Sequence, residues 1–285
     1  VSGSSARKLK RGGANLLAGR LLSVNLFPLT DSEYSGDLTR KLLLGSLPGV
    51  IIDNPQPERT LRSYVHTYLK EEILEESLVR KLDAFSRFLE VAAQYHGKII
   101  NATSIAKAVG ISPNSALSYF QIMVDTLVAF FLPGWNGSTT KQLRIQPKFY
   151  LFDNGVASAL RGELQLELTE RTSRYGELFE CWVVQEMFRM NEYLQRDFKL
   201  AYWQTNHGSE VDLVVSRGMG EPLAGIEIKS STKPDPADFS SLHLFSEDNP
   251  HAKLFCFCRT PHRYQAGKVD VLPWDQGITM IASLF

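Results

Sequence analysis

Two short runs, Gly208-Ser209-Glu210-Val211-Asp212-Leu213-Val214-Val215 and Ile226-Glu227-Ile228-Lys229-Ser230-Ser231, decide how this chain is read. Both are rich in β-branched or aliphatic residues. The turn-forming Arg217-Gly218-Met219-Gly220-Glu221-Pro222 joins them, the pattern of two strands and their connection. Strand side chains alternate sides, so Glu227 and Lys229 project from one face while Ile226 and Ile228 fill the other. Asp212 stands at the head of the first run. Pairing of the strands brings Asp212 and Glu227 together on one edge of a sheet, with Lys229 beside them.

Adjacent carboxylates repel, and a divalent cation between them relieves the repulsion. The chemistry that uses such a set is metal-assisted phosphodiester hydrolysis. Mg²⁺ or Mn²⁺ takes hard oxygen ligands, and one or two carboxylates plus a substrate phosphate suffice for Mg²⁺. The ion neutralises phosphoryl charge and acidifies a bound water, and a nearby lysine orients that water and stabilises developing charge. Taken alone, Glu227 and Lys229 read as the solvated face of an edge strand, and Asp212 as a strand-end charge. The surrounding pattern decides between the two readings.

Apolar residues recur at helical spacing from Arg174 to Leu194, with acidic residues in the first turns. Three strands are predicted over Phe198–Gln204, Glu210–Ser216 and Leu223–Ser230. A second helix is predicted over Pro236–Ser246, and a fourth strand over Ala252–Cys258. This order of helix, three strands, helix, strand resembles the restriction-endonuclease-like core. Glu180, Asp212 and Glu227-Ile228-Lys229 resemble the PD-(D/E)XK nuclease signature. The resemblance implies Glu180, Asp212 and Glu227 as metal ligands and Lys229 as the residue that positions water. Glu177, one turn before Glu180, is the weaker candidate for the helix acid.

The 285 residues allow two or three domains, and 44% hydrophobic and 11% aromatic content describe a globular chain with a core. Lys+Arg and Asp+Glu both number 31, so there is no global basic field and any nucleic-acid surface is local. Three cysteines make no disulfide framework. Cys256 and Cys258 share a strand face without zinc spacing, Cys181 reads as buried, and a reducing cytoplasm is the expected setting. No apolar run approaches the roughly 20 residues that span a bilayer, so no membrane partner is expected. His66 and His96 each stand alone and read as surface or packing residues.

The first residues, Val1 to Leu9, lack a helix start or a strand partner and read as the middle of something larger. No G-x-x-x-x-G-K-[ST] occurs, so no P-loop can cradle a phosphate and this chain is not expected to hydrolyse ATP unaided. Leu38 to Ala93 is helical in pattern and carries no evident chemistry. Residues 101–132 read as a helix-turn-helix, with Ser112 as N-cap and Pro113 in the first turn of the second helix. Pro133 to Gln146, with Trp135, Lys141 and Arg144, would form the wing. Asn114, Ser118 and Gln121 could touch base edges, but Ser112 to Val124 carries no Lys or Arg. Phosphate anchoring would have to come from Lys107, Lys141 and Lys148.

Taken in order, Gly3 to Leu9, Leu16 to Arg20, Leu44 to Pro48, Lys148 to Gly155, Gly176 to Glu180, Glu210 to Asp212 and Ile226 to Ser231 resemble one prokaryotic family. Its members are AAA-type ATPases with a helical lid, a winged helix and a C-terminal nuclease-like domain of unknown function, the 4143 type. On that resemblance Ser2 or Ser4 stands at a sensor position, Arg20 closes the family's Leu-Leu-Ala-Gly-Arg run, and Lys70-Glu71-Glu72 replaces a more usual Arg-Asp pair. The implied division is 1–37 as a remnant of the ATPase core, 38–93 as lid, 94–148 as winged helix and 149–285 as nuclease-like domain. The fold class expected is α/β multidomain, and ATP belongs only to a full-length parent. Two functions stay open: a metal-dependent nuclease, and a non-catalytic nucleic-acid- or protein-binding module governed by the missing ATPase half.

Overall fold

The computed structural model describes residues 24–68, 82–136, 145–218 and 221–284. Ser2, Ser4, Arg20, the Lys70-Glu71-Glu72 stretch and the wing residues Lys141 and Arg144 lie outside the described residues. The chain is a mixed α/β protein with two sheets and divides into two compact units. The first comprises 37–131 and 149–166 with the described residues up to Leu29. The second comprises Thr30–Gly36, Leu132–Lys148 and the chain from Glu167 onward.

In the first unit, α1 (Leu38–Leu44), α2 (Pro48–Ile51) and α3 (Pro57–Ser63) lead into a π-helical turn, Tyr64–Tyr68. Next come α4 (Leu82–Ala93), β1 (Lys98–Ile99), α5 (Ala102–Val109), α6 (Pro113–Asp125), β2 (Ala129–Leu132), β3 (Lys148–Leu151) and α7 (Asn154–Leu160). The three strands form a small sheet in the order β1-β3-β2. Local chemistry sets the helix ends. Asn101 accepts the Ser104 amide and Ser112 the Ser115 amide, each satisfying a donor that its helix leaves open. Gly110 ends α5 in the left-handed region at φ 78°, which costs a glycine little.

The core of this unit is aromatic: Phe88, Phe120 and Phe149 are buried, with ring centroids 4.8 Å apart across each of the Phe88–Phe120 and Phe120–Phe149 pairs. Edge-on packing of this kind suits the ring quadrupole. The apolar run into Asp153 ends in a structural clamp. Asp153 Oδ1 accepts the Val156 amide and caps α7, while Oδ2 accepts the Ser46 amide at 2.8 Å. Gly155 permits the approach, because a Cβ there would stand 2.0 Å from the Leu44 carbonyl oxygen. His96 is buried. Its Nδ1 accepts the Leu151 amide at 3.0 Å and its Nε2 donates to Asn154 Oδ1.

The second unit opens with α8 (Ser173–Tyr193), capped by Thr172 Oγ1, which accepts the Tyr175 amide. It continues through β4 (Phe198–Gln204), β5 (Glu210–Arg217), β6 (Pro222–Lys229), a 3₁₀ turn (Pro236–Phe239), α9 (Ser240–Asp248) and β7 (Lys253–Cys258). The chain ends with β8 (Tyr264–Ala266), β9 (Val269–Pro273) and α10 (Trp274–Leu284). The sheet order is β4-β5-β6-β7-β9-β8. Strands β4, β5 and β6 are antiparallel neighbours, β6, β7 and β9 run parallel, and β8 returns antiparallel to β9.

One face of β6 packs on α9: a Cβ at Gly225 would meet the Phe245 ring at 2.9 Å and Leu242 at 3.4 Å. By alternation Glu227 and Lys229 share the face of Gly225. The opposite face of the neighbouring strand β7 meets α10, where Gly277 lies against the Phe257 ring. Trp274 at the head of α10 packs edge-on to Phe179 and Trp182 of α8. The Thr30–Gly36 segment is fastened to α8 by Glu186, which accepts the Asp31 amide at 2.8 Å and pairs with buried Arg189 at 2.9 Å.

Three expectations are corrected. Strands β5 and β6 lie inside the sheet, each flanked on both sides, so the carboxylates stand at the end of an inner strand pair and not on a sheet edge. The second helix is split into a 3₁₀ turn and α9 because Asp235 and Asp238 build a capping box around Pro236. Lys148 is buried at 4% exposure and ion-paired, so it is no phosphate anchor for the helix-turn-helix.

Candidate functional site

The β5–β6 register, Leu213 opposite Ile226, puts Asp212 and Glu227 on the next rung of the ladder, where cross-strand neighbours share a face. Asp212 Oδ2 accepts the amide of Ile228 at 2.7 Å. Lys229 Nζ pairs with Glu227 Oε1 at 2.7 Å, while Glu227 Oε2 is buried without a hydrogen-bond partner. Glu180 enters from α8. One carboxylate oxygen each of Glu180, Glu210 and Asp212 lie within 4.8 Å of one another. Lys148 Nζ stands between two of them, 3.2 Å from Glu180 Oε1 and 2.5 Å from Glu210 Oε1.

The structure therefore gathers Glu180 with Asp212, and Glu227 with Lys229, into one acidic neighbourhood. It adds two residues that the reading of the sequence missed. Glu210 precedes Asp212 by two on β5, so strand alternation alone could have flagged it. Lys148 is far away in the chain, and no local pattern announced it. Glu177 is exposed.

Burial and mutual repulsion dominate the electrostatics. Burial, then the charges of Glu180 and Glu227, push the Asp212 carboxyl well above the usual carboxylate range, against the pull of Lys148 and Lys229. Burial likewise raises Glu227 to about 7, although the bonded Lys229 opposes the shift. Burial alone would lower the Lys229 ammonium. Glu227, Asp212 and Asp238 outweigh it, and Lys229 stays charged. Four carboxyl groups thus face two ammonium groups, and full ionisation of the four would leave two negative charges uncompensated, which is why Asp212 and Glu227 are driven towards their protonated forms. A hard divalent cation fits that donor set and that deficit, and the orphaned Glu227 Oε2 is the kind of buried acceptor such an ion satisfies.

Elsewhere, Asn114, Ser118 and Gln121 lie exposed on α6, and Gln121 Nε2 donates to Asp125 Oδ1 at 2.8 Å. Lys107 is exposed on α5. The three cysteines are free and buried, with Cys256 opposite Glu227 and Cys258 opposite Lys229 in the parallel ladder.

Residues 35–169 match a family model described as a domain of unknown function (DUF8612), and residues 175–276 match a second one, also described as a domain of unknown function (DUF4143). The second match agrees with the type expected for the C-terminal part. Glu180, Glu210, Asp212, Glu227 and Lys229 fall inside it, whereas Lys148 falls inside the first. No curated protein and no solved structure matches the chain. Among the described residues, no helix is long and apolar enough to cross a membrane.

Proposed function

We propose that the second unit is a metal-dependent phosphodiesterase acting on nucleic acid, built on a restriction-endonuclease-like core of the PD-(D/E)XK type. The observation that carries this reading is the carboxylate group itself: half-buried Glu180 and Glu210 clustered with buried Asp212, and buried Glu227 beside them with an unsatisfied oxygen. Burying such charge destabilises a fold unless a ligand compensates it. The run α8, β4, β5, β6, α9, β7 supports the same reading.

Glu180, Asp212 and Glu227 would hold Mg²⁺ or Mn²⁺, which when bound supplies Lewis-acid stabilisation of a phosphoryl group and a more acidic water. The remaining work falls to the chain's own groups. The Ile228 amide fixes the Asp212 carboxylate, and Lys229, charged and anchored on Glu227, orients a water or donates to a phosphate oxygen. Its side chain is one-third exposed, which leaves it within reach of solvent and substrate.

In the first unit, α5, the Gly110 turn, α6 and the strands β2 and β3 support a winged-helix assignment. The lack of cations on α6 favours packing or weak nucleic-acid contact over sequence reading. The whole would serve as the C-terminal portion of an AAA-type ATPase.

The test is cleavage of supercoiled plasmid, linear duplex, single-stranded DNA and RNA with Mn²⁺ or Mg²⁺. Wild type should cleave at least one substrate, and Lys229→Met should not, while keeping a metal-induced rise in melting temperature. A metal shift in wild type with no cleavage of any substrate would hand the site to a non-catalytic binding role.

A further inference from the structure

We infer that Lys148 is a tethered counter-ion that restricts the acidic site to a single divalent cation; the inference rests on the metal-dependent reading above. The Lys148 ammonium lies 3.2 Å from Glu180 Oε1 and 2.5 Å from Glu210 Oε1 and is only 4% exposed. A second divalent ion in a two-metal site sits about 3.5–4 Å from the first and shares carboxylates with it. With Glu180, Asp212 and Glu227 on the first ion, a second would have to share Glu180 and take Glu210. Lys148 already pairs with both.

The lysine is held where it is. Its ammonium lies 5.5 Å from the centroid of the Tyr202 ring. The Tyr202 hydroxyl donates to the Gln146 carbonyl at 2.6 Å, two residues before Lys148. The Tyr202 amide donates to the Pro133 carbonyl, and the Trp135 amide donates to the Tyr202 carbonyl. The segment that delivers Lys148 is thus stitched to β4 on both sides. Withdrawing the ammonium would leave Glu180 and Glu210, each half-buried, without their shared partner and repelling each other and the buried Asp212. A doubly charged ion placed beside it would meet a fixed positive charge in a poorly screened interior.

The experiment is Mn²⁺ titration calorimetry on the full chain, with folding of each variant checked by circular dichroism. Wild type should bind one ion per chain, Lys148→Arg one, and Lys148→Met two. Glu210→Gln in the Lys148→Met background should return the count to one. Glu210→Gln alone, a variant that keeps the lysine, should leave the single ion's affinity within about threefold; loss of an ordinary ligand costs about tenfold or more.

Two ions in wild type would overturn the inference. So would one ion of unchanged affinity in folded Lys148→Met, or about tenfold weaker binding in Glu210→Gln alone. No Mn²⁺ binding by wild type would instead overturn the metal-dependent reading on which the inference stands.

Discussion

Asp212 on β5 is fastened by its Oδ2 to the backbone amide of Ile228 on β6, the residue between Glu227 and Lys229. One hydrogen bond therefore ties the position of the first carboxylate to the two side chains that flank its donor. Strand alternation sends Glu227 and Lys229 to the same face, so the bond fixes the geometry of the set without using either of them. Asparagine at 212 preserves this bond, whereas alanine loses it. Substitutions at this position consequently separate charge from architecture.

The clamp in the first unit gives the plainest stability prediction. Asp153→Ala removes the α7 cap and leaves the buried Ser46 amide without its acceptor. Loss of a cap costs about 1 kcal/mol and an orphaned buried donor about 1–3 kcal/mol, so the variant should unfold about 2–4 kcal/mol more easily in urea. Gly155→Ala should also destabilise, because its Cβ meets the Leu44 carbonyl. Unchanged urea midpoints would remove the clamp from the account.

His96 carries a pH dependence of defined sign. Burial holds its imidazole down to about 3, against an ordinary value of 6.5. A proton on Nδ1 would oppose the Leu151 amide that donates there. The unfolded chain therefore binds the extra proton first, and the stability His96 provides is present above pH 6.5 and lost as pH falls toward 3. His96→Gln should be less stable than wild type at pH 7, and the gap should narrow at pH 4.5. A gap that widens on acidification would contradict the buried neutral ring.

On α6, replacing Asn114, Ser118 and Gln121 together by alanine should change duplex affinity less than about threefold. All three are exposed, yet no cation accompanies them on that helix, and phosphate contacts dominate such affinities. Fluorescence anisotropy at two salt concentrations decides the matter. A large loss, with loss of preference for particular base sequences, would show that α6 reads the major groove.

The parts of the second unit that were legible in the sequence share one property: their residues carry a period. Phe198–Gln204 was readable to the residue, and Glu210–Arg217, Pro222–Lys229 and Ser173–Tyr193 to within a position or so, because burial on alternating or helical faces leaves a pattern. Strand β8 has three residues, none of them buried, so no pattern marks it. Strand β9 runs into Pro273 immediately before α10, which obscures both elements. The site divides in the same way. Glu180, Asp212, Glu227 and Lys229 lie on periodic elements, and Glu210 is one strand period from Asp212. Lys148 is brought to the cluster beside a hydrogen bond from Tyr202 of β4 to the Gln146 carbonyl, information held by tertiary structure alone.

The last prediction joins pH to metal. Burial raises the Glu227 carboxyl from 4.5 to about 7 in the fold, so between those values the folded protein keeps a proton that the unfolded chain has released. More protons bound in the folded state means that stability falls as pH rises through that window. Metal-free wild type should thus lose stability from pH 4.5 to 7 relative to Glu227→Gln, which has no proton to lose. Asp212, raised for the same reasons, adds to the trend, and Asp212→Asn should melt higher than wild type at pH 8 without metal because the repulsion from Glu180 and Glu227 is gone. Mn²⁺ competes with these protons, so its stabilisation of wild type should grow from pH 5.5 to 8 and be absent in Asp212→Asn. Differential scanning fluorimetry across that range, with and without millimolar Mn²⁺, reads all of these effects at once. A Mn²⁺ shift that is flat with pH, or that survives in Asp212→Asn, would place the ion away from these carboxylates.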